Sequence, residues 1–395
     1  MTEQAQPTKS ITLRKNEEHR ILRGHPWVFS NEIREIQGSP AKGEIVEVHD
    51  ARGRLLGIGM FNPHSLISVR MLSKNPETID APFFLRRIRQ AAEWRAKITP
   101  AAQACRIVHG ESDFLPGLIV DRYNDLLSLQ ALSFGMDARL GPICEALQEI
   151  FHPAAIVERD DSPLRLLEGL EERKGFLYGA TATTTIEEHG LRYQVDLLKG
   201  QKTGFFLDQR KNRKIACAVS SGAEVLDCFS NDGGFALNAA RGGARTVLGV
   251  EISADAVSRA MANAELNALS NCLFEQSDVF PRLRSLHQEG RSFDVVILDP
   301  PSFTRSRKNV TTARQGYREL HRAAVRVLRP GGFLLSASCS HHITGEAFLE
   351  TIERALHAEG RRGQLLDWRG AAPDHPTLPE VPETQYLKFG VFHVA

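Results

Sequence analysis

Apolar and polar positions follow two rhythms along this chain, and the two predict different architectures. In the first part the rhythm is short and punctuated by turns. Glu44-Ile45-Val46-Glu47-Val48 alternates, Asp50-Ala51-Arg52-Gly53 reads as a turn, Leu55 to Met60 follows as a second strand, and His64 to Leu72 offers a third. Strands at this spacing predict a small β-barrel or sandwich. A helix is predicted over 81–98, with Phe84, Leu85, Ile88 and Trp94 among arginines 86, 87, 89 and 95. Residues 105–180 read strand, strand, helix, strand: 117–122, 126–132, 136–151 and 155–159, a compact α+β unit.

From about residue 185 apolar strands alternate with helical stretches. The strands are 224–227, 246–251, 272–275, 293–298 and 332–337, and the helices lie near 233–241, 254–268, 310–328 and 345–358. This pattern predicts a doubly wound α/β fold with a mostly parallel sheet, closed by an antiparallel edge strand over 386–394. The expected division is 1–78, 79–184 and 185–395.

Composition narrows the class without naming a function. Of 395 residues, 42% are hydrophobic and 25% charged, the balance of a globular protein. No apolar run is long enough to span a bilayer, and MTEQAQPTKS lacks the apolar core of a signal peptide, so a loose tail on a cytoplasmic protein is expected. Six scattered cysteines (105, 144, 217, 228, 272 and 339) form no CxxC pair, which supports neither a disulfide framework nor a zinc site. No metal is expected. Net charge is +1, but residues 1–110 hold 17 Lys and Arg against 11 Asp and Glu. A basic front end points to a polyanion partner, and a mixed solvated surface explains the count about as well.

Ligands of a doubly wound sheet bind beyond the carboxyl ends of its strands. Those ends carry Asp227-Cys228-Phe229-Ser230-Asn231-Asp232-Gly233-Gly234-Phe235, then Glu251, Ser277-Asp278-Val279, Asp299-Pro300-Pro301-Ser302-Phe303 and Ser336 to His342. A dinucleotide site wants GxGxxG, so that backbone can press against a pyrophosphate. Here an acid precedes the glycines, which suits a ligand with a cationic end and no phosphate, such as S-adenosylmethionine. The pattern resembles the class I S-adenosylmethionine-dependent methyltransferases. That resemblance implies Asp227 and Gly233 near the methionine moiety, Glu251 on the ribose and Asp278 on the adenine amino group. Phe229, Asn231, Val279, Asp299, Phe206 and Asp208 complete the implied cofactor set.

The Asp299-Pro300-Pro301-Ser302-Phe303 segment resembles the motif of methyltransferases acting on bases, whose rigid turn faces a flipped base. Alone it suits an exocyclic amine. Cys339, on the next strand end, changes the reading. Cytosine C5 is too weak a nucleophile to attack a sulfonium methyl unaided, and a thiolate adding to C6 activates it. Amine methylation needs no nucleophile. Cys228 is the rival thiol and reads as packing in the cofactor turn; His341 and His342 are left unassigned.

Across nearly the whole chain, Arg23-Gly24-His25-Pro26-Trp27-Val28-Phe29, Asp113 to Asp121 and Gly200-Gln201-Lys202-Thr203-Gly204-Phe205-Phe206-Leu207-Asp208-Gln209-Arg210 resemble the bacterial RlmI-like 23S rRNA cytosine-C5 methyltransferases. The resemblance implies a front PUA domain that binds RNA, a middle domain shaping an RNA cleft, and 23S rRNA or the assembling large subunit as partner, with no membrane and room for a homodimer. It implies Cys339 as nucleophile and Asp299 on the N3/N4 edge of the base. Pro300, Pro301, Phe303, Lys202, Arg210 and Arg213 are expected to contact substrate. A guanine or adenine nitrogen methyltransferase is the rival enzyme, and an RNA-binding protein with a degenerate cofactor fold is the non-enzyme alternative.

Overall fold

The computed structural model describes residues 9–304 and 307–395, so most of the expected N-terminal tail lies outside it. The chain divides into two compact units. The first takes residues up to Thr184 together with Val195–Leu207 and Pro373–Thr384; the second takes Thr185–Gln194, Asp208–Ala372 and Gln385–Ala395. No described helix is long and apolar enough to cross a membrane.

In the first unit, a six-stranded sheet orders Trp27–Phe29, Ile67–Ser73, Leu55–Phe61, Ile45–His49, Ser10–Leu13 and Ile33–Gln37. The alternation read in the sequence is the alternation of burial: Val46 and Val48 are buried, while Ile45, Glu47 and His49 are half-exposed. Val46 and Val48 join Ile11, Leu13, Val28 and Val69 in one core. The third expected strand begins at Ile67, not His64, because local side chains hold a turn before it. The Asn62 Oδ1 accepts the His64 N–H at 3.1 Å, and the Ser65 Oγ accepts the Ile67 N–H at 3.2 Å.

A five-stranded sheet orders Arg173–Tyr178, Ala155–Asp160, Leu126–Ala131, Leu118–Tyr123 and Ala104–His109. Helices Ala81–Ile98 and Leu140–Phe151 bring Phe83, Phe84, Ile88, Ile143 and Leu147 to its core. The helix expected over 136–151 is interrupted: a single turn, Phe134–Asp137, precedes Leu140–Phe151. Pro142 accounts for the break, since it is tolerated in a first turn and not in a helix interior. The Pro373–Thr384 segment supplies Asp374, whose carbonyl accepts from Arg95 at 3.1 Å and whose carboxylate accepts the Arg106 N–H at 3.0 Å. Arg95 is 1% exposed and also pairs with both oxygens of Asp113.

The second unit is built on seven strands. Glu224–Cys228 lies inside, with Thr246–Glu251 and then Cys272–Gln276 on one side. On the other side come Phe293–Leu298, Leu328–Ser338, Lys388–Val394 and Gly363–Arg369. The first five strands pair in parallel, and Lys388–Val394 runs antiparallel to both its neighbours. Helices Gly234–Arg241, Ala254–Leu266, Val279–Gln288, Val310–Val327 and Gly345–Ala358 alternate with the strands. Strand interiors such as Val225, Leu226, Val295, Val296, Leu334 and Leu335 are buried, as expected of a sheet covered on both faces. All five parallel strands therefore end on one rim, where the ligand-binding residues of such a fold collect.

Candidate active site

The rim is assembled around an unusual turn. After Glu224–Cys228 the backbone turns left-handed at Phe229 (φ 65°), Asn231 (φ 48°) and Gly233 (φ 84°) before entering the helix Gly234–Arg241. Two non-glycine residues in that region cost conformational energy, and local bonds hold them there. The N–H groups of Phe229 and Ser230 both donate to the Val250 carbonyl, at 2.9 and 3.1 Å. Glu251, at the end of the next strand, accepts from the Asn231 N–H at 3.1 Å and the Ser253 N–H at 2.9 Å. One carboxylate thus ties two strand ends together.

Asp227 is fully buried. Its Oδ2 accepts the Ala236 N–H at 2.9 Å, while Oδ1 has no hydrogen-bond partner among the described residues. The buried Ser230 Oγ is in the same position. Burial, then the charges of Asp299 and Glu251, push the Asp227 carboxyl well above the usual carboxylate range, against the pull of the Ala236 N–H. A buried acceptor lacking a donor is costly. With Asp299 and Glu251, Asp227 makes a group of three acids, hospitable to a cation and hostile to a phosphate. The ammonium and sulfonium of S-adenosylmethionine meet that requirement. Asp227, Ser230 and Glu251 are the groups that would hold the ligand here.

Asp278 ends the third strand region as the N-cap of Val279–Gln288, accepting the Phe280 N–H at 2.9 Å, and it is exposed. Val279, expected against the cofactor, is instead committed to the core with Leu226, Cys228 and Val250. Asp208 is 3% exposed and accepts the Tyr386 O–H at 2.7 Å.

The fourth and fifth strand ends meet side by side. The Cys339 Sγ, just past Leu328–Ser338, lies 4.0 Å from the Pro300 carbonyl oxygen. Ser340 stitches the two turns: its Oγ accepts the Phe303 N–H at 3.2 Å and lies 3.0 Å from both the Ser302 Oγ and the Tyr317 Oη. Cys339 is half-buried. Cys228, the rival thiol, is buried, and burial followed by the nearby Asp227 pushes it well up and keeps it protonated.

Sequence reasoning missed a partner of Asp299. The Gln209 Nε2 donates to the Asp299 Oδ1 at 2.9 Å, and Asn212 donates to the Gln209 Oε1 at 2.6 Å. Gln209 stands in the long run around Phe206 and Asp208, so the signal was present without a role attached. Lys388 was also missed; its Nζ donates to the Ser340 carbonyl at 2.7 Å.

Other expectations change. Arg213, expected on phosphate, is 2% exposed and forked onto Glu188 at 2.7 and 2.8 Å. Although burial works the other way, Arg213 holds the Glu188 carboxyl below its usual range. Arg210 also donates to Glu188, at 3.3 Å. Both arginines serve the interior of the unit because a buried Glu188 requires them. Phe303, expected on a base, tilts against Tyr317 at 4.5 Å. Lys202 and Phe206 belong to the first unit, where the Lys202 Nζ lies 4.4 Å over the Phe206 ring.

The strand order and the acids along one rim define a class I S-adenosylmethionine-dependent methyltransferase. Two family models agree: a PUA-like domain matches residues 11–74, and an S-adenosylmethionine-dependent methyltransferase matches residues 174–387. A candidate S-adenosylmethionine-dependent methyltransferase from Streptococcus mutans shares the fold, with TM-score 0.84, 21% identity, and coverage of 97% of this chain and 99% of that one. The ribosomal RNA large subunit methyltransferase I of Tolumonas auensis is 40% identical over 96% of this chain and 98% of its own. Its namesake in Aeromonas hydrophila is 41% identical with the same coverage. The chain belongs to the family of these ribosomal RNA large subunit methyltransferases I, and S-adenosylmethionine is its cofactor.

Proposed function

We propose that this protein methylates C5 of a cytosine in large-subunit ribosomal RNA, with Cys339 as a covalent nucleophile. The half-buried Cys339 thiol beside the Asp299-Pro300-Pro301 turn carries the reading. S-adenosylmethionine supplies the methyl group as a sulfonium electrophile. The Cys339 sulfur adds to C6 of the flipped base, so that the C5–C6 π electrons become available at C5. Asp299, braced by Gln209, holds the N3/N4 edge and, in its protonated form, donates its proton to N3 as the negative charge of the adduct develops there. As C5 takes the methyl group, the S–CH3 bond breaks and its electron pair returns to the sulfonium sulfur, leaving a neutral thioether; a base then removes the C5 proton. The electron pair re-forms the C5–C6 double bond and expels the Cys339 thiolate. Asp227, Ser230 and Glu251 hold the cofactor's cationic and ribose ends. The PUA-like front module binds RNA, with the exposed Arg86 and Arg89 of the helix Ala81–Ile98 tracking phosphate.

Methyl transfer from labelled S-adenosylmethionine to unmodified bacterial large-subunit rRNA, followed by nucleoside analysis, tests this. The wild-type chain is expected to form 5-methylcytidine, and Cys339→Ala to form none. A methylated purine, or a fully active Cys339→Ala, overturns the cytosine reading and leaves the cofactor assignment standing.

A further inference from the structure

Lys388 opens the antiparallel strand Lys388–Val394 and sits in register opposite Ser338, the residue before Cys339. It is 7% exposed. A buried ammonium is expensive unless its hydrogen bonds are satisfied and a negative charge lies nearby. Its Nζ donates to the Ser340 carbonyl at 2.7 Å and to the Tyr386 carbonyl at 2.8 Å. One of those acceptors belongs to the residue that follows Cys339. The lysine therefore grips the short turn that presents the thiol, from the neighbouring strand. Neither carbonyl carries a full charge, so these bonds account for its orientation and not for keeping an ammonium inside.

We propose that Lys388 is a positioning residue for the nucleophile: its buried ammonium, clamped between the Ser340 and Tyr386 carbonyls, holds the Cys339 sulfur as a thiolate. The proposal rests on Cys339 being the nucleophile. A thiolate is the reactive form, and an adjacent cation lowers the pH at which it appears. Burial brings the Lys388 ammonium down to about 8, and the Cys339 sulfur acts in the opposite direction. A negative charge on the Cys339 sulfur favours the charged form of the lysine, as a neighbouring charge of opposite sign does. Among the described residues, the other titratable groups near this strand end work against the thiolate or supply no fixed positive charge. Asp299 is an acid on the adjacent strand end, and Tyr317, on the helix Val310–Val327, is pushed up to about 12 by burial and stays neutral. His341 lies against Tyr386 with ring centres 5.6 Å apart and is exposed; His342 follows it in the chain. Among the described residues, Lys388 is the buried cation at this strand end.

The test is the rate of Cys339 alkylation by iodoacetamide, read peptide by peptide by mass spectrometry on the full chain, across about pH 6 to 10. In the wild type the midpoint is expected below the ordinary thiol value of about 8.5. Lys388→Met should move it upward by about one unit or more, with a matching roughly tenfold fall in alkylation rate near neutral pH. Lys388→Arg should restore most of that loss. The turnover number for methyl transfer should fall in Lys388→Met while the dissociation constant for S-adenosylmethionine stays unchanged. An unshifted midpoint in a folded, cofactor-binding Lys388→Met overturns the proposal. Should that variant fail to fold, a wild-type midpoint at or above the ordinary value overturns it as well. A fully active Cys339→Ala overturns the nucleophile reading beneath the proposal, whereas an inactive Cys339→Ala with an unshifted Lys388→Met midpoint overturns the role of Lys388 alone.

Discussion

Asp227 shows how a single residue can be unfavourable for the empty protein and favourable for the loaded one. Its carboxyl, pushed up by burial and by Asp299 and Glu251, retains a proton at a pH where an exposed aspartate has lost it. A cationic ligand favours the ionised form, so binding must release that proton. The sign follows from the raised value: the cost of removing the proton falls as pH rises towards it. S-adenosylmethionine affinity is expected to strengthen with pH across that window and to level off above it. Asp227→Asn should flatten the profile and weaken binding about tenfold or more, equivalent to ~1.4 kcal/mol. Calorimetric titrations at a series of pH values check both expectations. Sequence alone showed that an acid stood at this strand end, but its unpartnered oxygen and its two acidic neighbours emerge only when three strands end together.

At the scale of elements, the turn between Glu224–Cys228 and Gly234–Arg241 is held by few options. Gly233 has φ 84°, and a Cβ there would lie 3.1 Å from the Phe274 ring and 3.3 Å from the Ala260 methyl. Gly233→Ala is therefore expected to cost about 1–2 kcal/mol, from the left-handed backbone and from crowding. The midpoint of urea unfolding measures it, with an unchanged slope showing that the denatured state is unaffected. The elements that could be read in the sequence are those with a strong contrast between faces or an unbroken apolar run, such as Ile45–His49 and Phe293–Leu298. Some edge strands escaped. Gly363–Arg369 and Arg173–Tyr178 carry mostly exposed or half-exposed side chains, so neither the alternation nor the apolar run that marks an interior strand is present. The helix Arg210–Val219 was missed for a related reason. Four of its first five residues are basic, and two of those, Arg210 and Arg213, are buried on Glu188, a partner no local pattern reveals. Part of the site was equally illegible: Gln209 and Lys388 gain meaning only from residues 90 and 48 positions away.

For the molecule as a whole, the basic excess over residues 1–110 and the PUA-like module imply that RNA affinity is built largely on phosphate contacts. Binding of the full chain to large-subunit rRNA should weaken steeply as salt rises, by about a thousandfold between roughly 50 and 200 mM if six phosphates are neutralised. S-adenosylmethionine affinity should change far less, because its acids are buried and shielded from the ions. Fluorescence anisotropy for RNA and calorimetry for the cofactor, over one salt series, separate the two. Equal salt slopes would contradict that division of labour.

The late return of Pro373–Thr384 to the first unit has a consequence for how the protein comes into being. Arg95 and Arg106 are made early, yet their bonds to Asp374 wait for a residue 279 and 268 positions further along. On a ribosome that feeds the chain out from its amino end, the first unit cannot complete its interior until synthesis is nearly over. Its assembly is thus tied to the arrival of the far end of the chain, and a nascent fragment halted anywhere before Asp374 holds an arginine cluster still short of one acceptor.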